Sequence, residues 1–220
     1  MNAEEKNIIK TLNKIGVDTR FISLYKNGIY INNLKFSKFS RKKEDDFRKE
    51  YPQIEVIRSK LFQKICIKVS RTVKNQIKPQ VKLYIENNNS LENILLYLVL
   101  EPYKRKYGVK ILETKSEDTL NVSNYCQDDF CLNYLNSMTE GRKITNNLEE
   151  NTIYPLKHVK HQWICDWVES TNIKYSSRKE MNEDNNKEIL NFLEKHIPNV
   201  QESIIQSVNY LEKNNQHIAD

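Results

Sequence analysis

The most apolar part of the chain predicts a strand, a helix and a second strand in succession. A short apolar run at 81–85 is followed by a polar turn at 86–90 and then by a largely apolar segment at 91–101. In this last segment, apolar residues recur at the i, i+3, i+4, i+7 spacing of a helix and also fill its other faces, so we expect it to be buried on several sides. Pro102 should kink the helix or end it near Glu101, and 109–112 supplies the next strand. This order of elements predicts a parallel sheet and an α/β fold.

The turn after the first of these strands is a candidate ligand site. In open parallel sheets, ligands bind beyond the carboxyl ends of the strands, which here means Glu86, Asn87, Asn88, Asn89 and Ser90. Loops that bind phosphate usually contain glycine, so that backbone N–H groups can approach the anion closely. This loop has no glycine and carries a carboxylate. The residues therefore predict either a degenerate nucleotide site or a polar turn without a ligand.

The first fifty residues predict a helix, a hairpin and a second helix. Apolar positions within 3–15 follow one face of a helix. Two strand-like runs then flank Asn27-Gly28, a pair that favours a type I′ turn. The charged segment 35–49 predicts a basic helix. We therefore expect an N-terminal basic appendage with a β-hairpin at 1–52 and an α/β domain with C-terminal helices at 53–220.

Beyond this boundary, the apolar spacing predicts alternating helices and short strands. A basic helix at 54–76 precedes the central strand, and Leu120 and Val122 predict another short strand. Asp128 and Asp129 fall at the start of a helix, where the helix dipole favours carboxylates. The remaining predicted elements are helices at 125–138, 157–170, 183–195 and 199–213 and the end of a strand at 153–156.

Positive charge is concentrated in the first half of the chain. The net charge is +6, and residues 35–82 contain fifteen Lys or Arg against five Asp or Glu. This distribution predicts either a contact with a polyanion on one face or a solvated helical surface. Phe36, Phe39 and Phe47 lie among the charges, which suits an RNA surface as well as packing. The candidate RNA-binding residues are Lys38, Arg41, Lys42, Lys43, Lys60, Lys64, Lys68, Arg71 and Lys74.

The cysteines and histidines predict no metal site. None of the four cysteines forms a Cys-x-x-Cys pair, and their spacing differs from that of structural zinc sites. His158 and His161 lie near one another on a predicted helix, but Cys165 is the one further ligand nearby. With no signal peptide and no apolar run long enough for a transmembrane helix, we expect a soluble cytoplasmic protein with reduced cysteines.

Several stretches, taken in order, resemble the PP-loop ATP pyrophosphatases. The strand, loop and helix at 81–101 lie where that superfamily carries Ser-Gly-Gly-x-Asp-Ser. Residues 124–135, Asn-Tyr-Cys-Gln-Asp-Asp-Phe-Cys-Leu-Asn-Tyr-Leu, resemble its Gly-His-x-x-Asp-Asp motif and the helix that follows. Residues 153–175 resemble its segment of Arg-Pro-Leu, helix and short strand. The Leu-Glu-Lys-His-Ile-Pro at 193–198 is similar to a C-terminal stretch of the tRNA-thiolating branch.

Within that superfamily, the chain looks most like the second subunit of the cytoplasmic tRNA 2-thiolation proteins. The resemblance implies a Rossmann-like PP-loop domain in a non-catalytic subunit that binds tRNA and a catalytic PP-loop subunit. A ubiquitin-like carrier would deliver sulfur to that partner. Of the second motif, Asp128 and Asp129 survive, and with residues 86–90 they would form a degenerate nucleotide site. The degraded loop implies that no cofactor is bound, with ATP as the alternative.

Two other functions stay open. An active ATP-dependent tRNA-modifying enzyme with an unusual loop would turn over ATP and lose that activity on Asp129→Ala. A basic RNA-binding module of unrelated fold would bind RNA in a salt-dependent manner without a partner or a nucleotide. The chain also departs from the family, because no paired cysteines precede Cys66 and the segment 110–124 is short.

Overall fold

The structure is a computed structural model that describes residues 3–142, 149–171, 173–176 and 185–216. The described strands are β1 (Ile22–Tyr25), β2 (Gly28–Ile31), β3 (Glu55–Ile57), β4 (Lys82–Tyr84), β5 (Lys110–Leu112), β6 (Thr119–Val122) and β7 (Thr152–Ile153). The described helices are α1 (Ala3–Lys14), α2 (Leu34–Ser37), α3 (Arg41–Glu50), α4 (Lys60–Thr72), α5 (Leu91–Leu100), α6 (Tyr103–Tyr107), α7 (Gln127–Thr139), α8 (His161–Thr171), α9 (Asn185–His196) and α10 (Val200–Gln216). None of these helices is long and apolar enough to cross a membrane.

The larger sheet has four parallel strands in the order β5-β4-β6-β7. The predicted strand–helix–strand unit is confirmed as β4, α5 and β5. Helix α5 is buried on nearly every side, and Leu95, Leu96 and Leu98 are fully inaccessible to solvent. Because the helix follows the strand and packs on the core, the next strand can pair in parallel. The predicted α/β fold with a parallel sheet is therefore confirmed.

The strand order places a crevice beside the central strand. From β4 the chain goes to β5 on one side of β4, and β6 and β7 lie on the other side. The order of strands therefore reverses between β4 and β6, and the loops that follow these two strands diverge from a common edge. We call the space between loops 85–90 and 123–126 the crevice. In open α/β sheets, ligands bind at this kind of position.

A second sheet of three strands lies in the N-terminal part. Strands β1 and β2 form the predicted hairpin, and β3 pairs in parallel with β2. Its core contains the buried faces of α1 and α3, including Leu12 and Phe47, which are fully buried. The predicted division between 1–52 and 53–220 stays a prediction, and β3 lies three residues beyond it.

The hairpin turn differs from the predicted type I′ turn. Tyr25 pairs with Gly28, so the turn residues are Lys26 and Asn27, and Lys26 has the positive φ of 49°. Gly28 instead lies in the strand. A Cβ atom there would come within 2.9 Å of the Tyr30 ring and 3.0 Å of Ile57. The glycine therefore serves close packing between neighbouring strands rather than the turn.

Two predicted helices of the basic region are wrong in their bounds. The segment predicted as one helix at 35–49 is divided into α2 and α3, because Lys38 between them adopts a left-handed conformation with φ 54°. The helix predicted at 54–76 begins only at Lys60, where the Ser59 hydroxyl accepts a hydrogen bond from the Phe62 amide. The residues before it form β3, in which Val56 is buried.

The N-terminal sheet is bonded to the end of α5 and to α6 by one buried ion pair. The Arg105 guanidinium lies 2.5 Å from the Glu101 carboxylate, with side-chain exposures of 10% and 4%. Arg105 also donates to the carbonyl oxygens of Thr19 and Ile22 at 2.9 and 2.6 Å. Glu101 accepts a hydrogen bond from the Leu24 amide at 3.2 Å. Arg105 and Glu101 therefore provide hydrogen-bond partners for backbone carbonyl and amide groups just before and within β1.

The C-terminal helices form a small cluster of their own. Helices α7, α9 and α10 pack together around Cys131, Leu190 and Ile205. Helix α8 begins four residues later than predicted, at His161. Asn172 and residues 183 and 184, which the sequence analysis placed in a short strand and a helix, lie outside the described residues.

Candidate functional site

The loop after β4 is closed by its own side chains. The Asn88 Oδ1 atom accepts from the Ser90 amide at 3.0 Å and from Asn93 Nδ2 at 2.8 Å, and Asn93 Nδ2 also donates to the Glu86 carbonyl. The Ser90 hydroxyl caps α5 by accepting from the Asn93 amide at 3.3 Å. Asn89 permits the turn through its positive φ of 53°. Two backbone N–H groups that could bind an anion at the start of α5 therefore already donate to side chains.

Glu92 places a buried carboxylate at the same helix start. It lies in the first turn of α5 and is 1% exposed. Its Oε1 atom lies 3.3 Å from His161 Nε2 at the beginning of α8. The helix dipole favours a carboxylate here, as it would favour a phosphate. Glu92 was not among the predicted site residues, although a charged residue within the apolar run of α5 was a usable signal.

Asp128 and Asp129 stabilise the starts of two helices. Asp129 accepts from the Cys126 amide at 2.9 Å, which completes a capping box at the N-terminus of α7. Asp128 accepts from the His161 amide at 2.6 Å and from Gln201 Nε2 at 3.0 Å. Both carboxylates thus have the structural function at a helix start that their sequence position predicts.

His161 links the first turn of α5, the helix that follows loop 86–90, to Asp128 at the start of α7. His161 bonds through its ring to Glu92 on α5 and through its amide to Asp128 on α7, so the starts of three helices converge at the crevice. Glu92, Asp128 and Asp129 make this place negative. A polyphosphate would therefore meet carboxylates where a phosphate-binding fold offers free N–H groups. The assignment of these residues to a nucleotide site stays a prediction.

The thiols near the crevice are poor nucleophiles. Burial, followed by the charges of Asp129 and Asp128, raises the pKa of Cys126 far above its usual range. Burial and the nearby Asp128 raise the pKa of Cys131 to about 12. Burial and Glu92 also raise the pKa of Cys165, whose Sγ lies 3.6 Å from His161 Nδ1. Because the thiolate is the reactive form, these thiols are largely inactive at neutral pH.

A replacement of Glu92 tests the electrostatics of the crevice. The hydrogen bond to Glu92 is the main cause that raises the pKa of His161. Protonated His161 therefore stabilises the fold below the ordinary pKa of about 6.5, and this contribution is lost as the pH rises through the higher folded-state pKa. We expect Glu92→Gln to lower the pKa of His161, measured by an NMR titration of the imidazole protons.

His158 provides the internal reference for that titration. Burial lowers the pKa of His158, and Glu202, its nearest carboxylate, is separate from Glu92. Its titration should therefore stay unchanged in Glu92→Gln. An unchanged His161 titration would show that Glu92 does not interact with the ring in solution.

A pocket of about 370 Å³ lies on the β5 side of β4, whereas the crevice lies on the β6 side. It is formed between the β1–β2 hairpin and the loop 86–90. Two ring–cation contacts flank it: Lys26 Nζ lies 5.1 Å from the Tyr25 ring centroid, and Lys104 Nζ lies 4.7 Å from that of Tyr97. Its size falls within the range of small-molecule sites. The predicted residues that line it are Glu86, Asn87 and Asn89.

The predicted RNA-binding residues of α4 form one continuous surface. Lys60, Lys64, Lys68 and Arg71 follow one helix face, and with Gln63 and Ile67 they line a shallow groove of about 380 Å³. We call this surface the α4 groove. Lys64 Nζ lies 3.7 Å from the centroid of the Trp163 ring. Lys68 is partly neutralised, because its Nζ lies 3.5 Å from the Glu202 carboxylate.

The other predicted RNA-binding residues lie on separate elements. Lys38 connects α2 and α3, while Arg41 and Lys42 are exposed on α3. Lys43 donates to the Gly16 carbonyl at 2.6 Å, which gives it a structural contact. Lys74 lies just after α4. The RNA contacts of all these residues stay predictions.

Sequence comparison finds one curated relative over part of the chain. No protein-family model matches the chain. Over 94 residues, which are 42% of its length, the chain is 32% identical to a protein of Methanocaldococcus jannaschii described as a probable sulfurtransferase. The match spans 28% of that relative, so the chain covers less than a third of its length.

Structural comparison relates the fold to a tRNA thiolase. The structure of the U34-tRNA thiolase NcsA from Methanococcus maripaludis is similar, with a TM-score of 0.54 over 69% of this chain and 78% of the thiolase. The identity is 13%, so the likeness concerns the fold. The expectation that no cofactor is involved is wrong for this fold, because the thiolase was solved with its [4Fe-4S] cluster.

The cysteines of this chain do not fit such a cluster. Iron–sulfur clusters are held by several convergent thiolates. Among the described residues, no group of three or more His, Cys, Asp or Glu side chains could hold a metal ion. Cys126 donates to Asp129, Cys131 donates to the Gln201 carbonyl and Cys165 contacts His161, so each thiol has a different neighbour. What this chain shares with the thiolase is therefore its parallel α/β architecture.

Proposed function

We propose that this protein is a non-catalytic subunit of a tRNA wobble-uridine 2-thiolation complex in the cytoplasm. It would bind tRNA and a catalytic PP-loop subunit. The fold of a U34-tRNA thiolase and the partial identity to a probable sulfurtransferase support the reaction class. The proposal that the chain is a non-catalytic partner subunit rests on two features of the chain itself, the start of α5 and the cysteines.

The closed start of α5 is the observation that supports a non-catalytic subunit. ATP-dependent thiolation needs a loop that holds the phosphates and a cation that neutralises them. Here Asn88 and Ser90 accept from the amides at that position, and Glu92 supplies negative charge. A phosphate would have to displace these hydrogen bonds and approach a buried carboxylate. We infer that the ATP-dependent step belongs to the partner.

The raised pKa values of the thiols also support a non-catalytic subunit. Burial raises the pKa of each of the four cysteines. A sulfur relay uses thiolates, so the reactive sulfur would be carried by the catalytic subunit and delivered to it by a ubiquitin-like carrier. This chain would contribute binding surface instead.

Two surfaces suit the two proposed partners. The α4 groove offers four cationic side chains for the phosphates of tRNA. The outer faces of α9 and α10 carry exposed apolar side chains, which suits a protein interface. These side chains are Ile189, Phe192, Tyr210 and Leu211.

A tagged pull-down from the native cell, followed by mass spectrometry, tests the assignment. We expect equal amounts of this protein and a cysteine-rich PP-loop protein, together with tRNA. Recovery of the protein with RNA but without such a partner would contradict the subunit assignment. ATP turnover by the isolated protein that is abolished by Asp129→Ala would favour an active enzyme instead.

A further inference from the structure

An exposed aromatic patch is formed by α2, α6 and the residue just before β1. It consists of Phe21, Phe36, Lys106 and Tyr107, and we call it the aromatic patch. The Phe36 ring is 53% exposed and lies 5.2 Å from the Phe21 ring, centroid to centroid. Tyr107 is 37% exposed. One face of Phe36 is therefore supported by Phe21 while much of the ring remains open to solvent.

Phe36 differs from the other aromatic residues of its segment. Phe39 and Phe47 are fully buried, and their ring centroids lie 6.2 Å apart. Packing alone therefore accounts for these two apolar side chains within a charged segment. Packing does not account for an open ring at Phe36. An exposed, supported aromatic ring provides a stacking surface for a planar ligand.

The surroundings of the patch are cationic. Lys106 Nζ lies 5.8 Å from the centroid of the Phe21 ring and 5.0 Å from that of Tyr107. Lys35 and Lys38 are exposed on either side of Phe36. Aromatic rings combined with lysines are typical of surfaces that bind single-stranded nucleic acid, in which bases stack and phosphates meet the cations. This charge favours RNA over an apolar protein segment as the occupant.

The patch is connected to the α4 groove. The Leu34 amide at the start of α2 donates to Gln63 Oε1 at 3.2 Å, and Gln63 lines the groove. Phe36 lies on the same short helix as Leu34. A nucleic acid whose phosphates follow α4 could therefore extend an unpaired nucleotide onto Phe36.

We propose that the aromatic patch binds an unpaired base of RNA by stacking on Phe36. This inference rests on the proposed function, because the base belongs to the RNA that the α4 groove binds. The patch gives the protein a preference for RNA with single-stranded segments over continuous duplex. Lys106 adds a cation beside the stacked base.

Fluorescence anisotropy of the full chain with labelled RNA tests the proposal. The probes are a twelve-nucleotide single strand and a duplex of the same length. We expect Phe36→Ala to weaken binding of the single strand by about ten-fold and to leave duplex binding unchanged. Since stacking involves no phosphate, the slope of log K against log salt should stay the same.

Two control variants accompany this measurement. Phe192→Ala removes another exposed phenylalanine, from α9, and it should have no effect on the binding of either RNA. Phe36→Trp keeps the stacking surface and should retain single-strand affinity.

The outcomes separate this inference from the proposed function. If wild-type protein binds both RNAs and Phe36→Ala binds the single strand equally well, the patch is not a base-binding site. If Phe36→Ala instead loses the partner protein in a pull-down while RNA binding is unchanged, the patch is a protein interface. If wild-type protein binds neither RNA, the proposed tRNA-binding function fails as well.

Discussion

Replacing Arg105 by alanine is expected to destabilise the folded protein by about 3–5 kcal/mol, because it leaves the Glu101 carboxylate buried without its cation. The same change removes the donor to the carbonyl oxygens of Thr19 and Ile22. For a chain of this length, the loss corresponds to a fall in Tm of roughly 10 °C. Urea unfolding followed by circular dichroism gives the free energy directly.

An exposed arginine provides the matched control. Arg20 is paired with Asp18 at 2.8 Å but is 58% exposed, so Arg20→Ala should change the unfolding midpoint little. Arg105→Lys keeps the charge and loses the planar fork, which should give an intermediate loss. If Arg105→Ala and Arg20→Ala unfold at the same midpoint, the buried pair does not stabilise the contact of the N-terminal sheet with α5 and α6.

The parts of the fold predicted correctly are those with local patterns. The apolar density of 91–101 identified α5, the short apolar runs at 81–85 and 109–112 identified the strands on either side, and their order predicted the parallel sheet. The hairpin was also predicted, since its two strands are neighbours in sequence. Local spacing was sufficient for α5 and for the hairpin because the contacts that form these elements lie close together in sequence.

The parts missed depend on contacts between distant residues. Strand β3 has three residues and pairs with β2 residues that lie 27 positions earlier, so neither its length nor its pattern distinguishes it from the start of a helix. Gly28 was assigned to the turn because of its type, whereas the close approach of Ile57 requires it. Sequence spacing does not reveal such a neighbour.

In the candidate site, too, the local features were predictable from sequence and the contacts between distant residues were not. Asp128 and Asp129 could be placed at a helix start from sequence, and both lie there. The bond between Glu92 and His161 joins residues that are far apart in the chain, and it appears once α5 and α8 pack together. This contact adds a buried carboxylate at the start of α5, beside the loop whose assignment to a nucleotide site stays a prediction.

Simultaneous replacement of Lys60, Lys64 and Arg71 by alanine is expected to reduce tRNA affinity by roughly a hundred-fold at 0.1 M salt, since each lost phosphate contact costs about five-fold there. All three side chains are exposed on the α4 groove. Lys68 is left in place because it pairs with Glu202. The slope of log K against log salt should become shallower by about two to three.

Helix α1 offers a control with three exposed lysines on another surface. Lys6, Lys10 and Lys14 are exposed and lie four residues apart along α1, so replacing them removes the same net charge from another surface. If binding follows net charge alone, both triple variants lose affinity and salt slope equally. If the α4 groove positions the phosphates, the α1 variant keeps most of its RNA affinity and of its salt slope. Only the α4 variant then loses them. Equal losses would therefore contradict the groove as the tRNA site while leaving non-specific RNA binding intact.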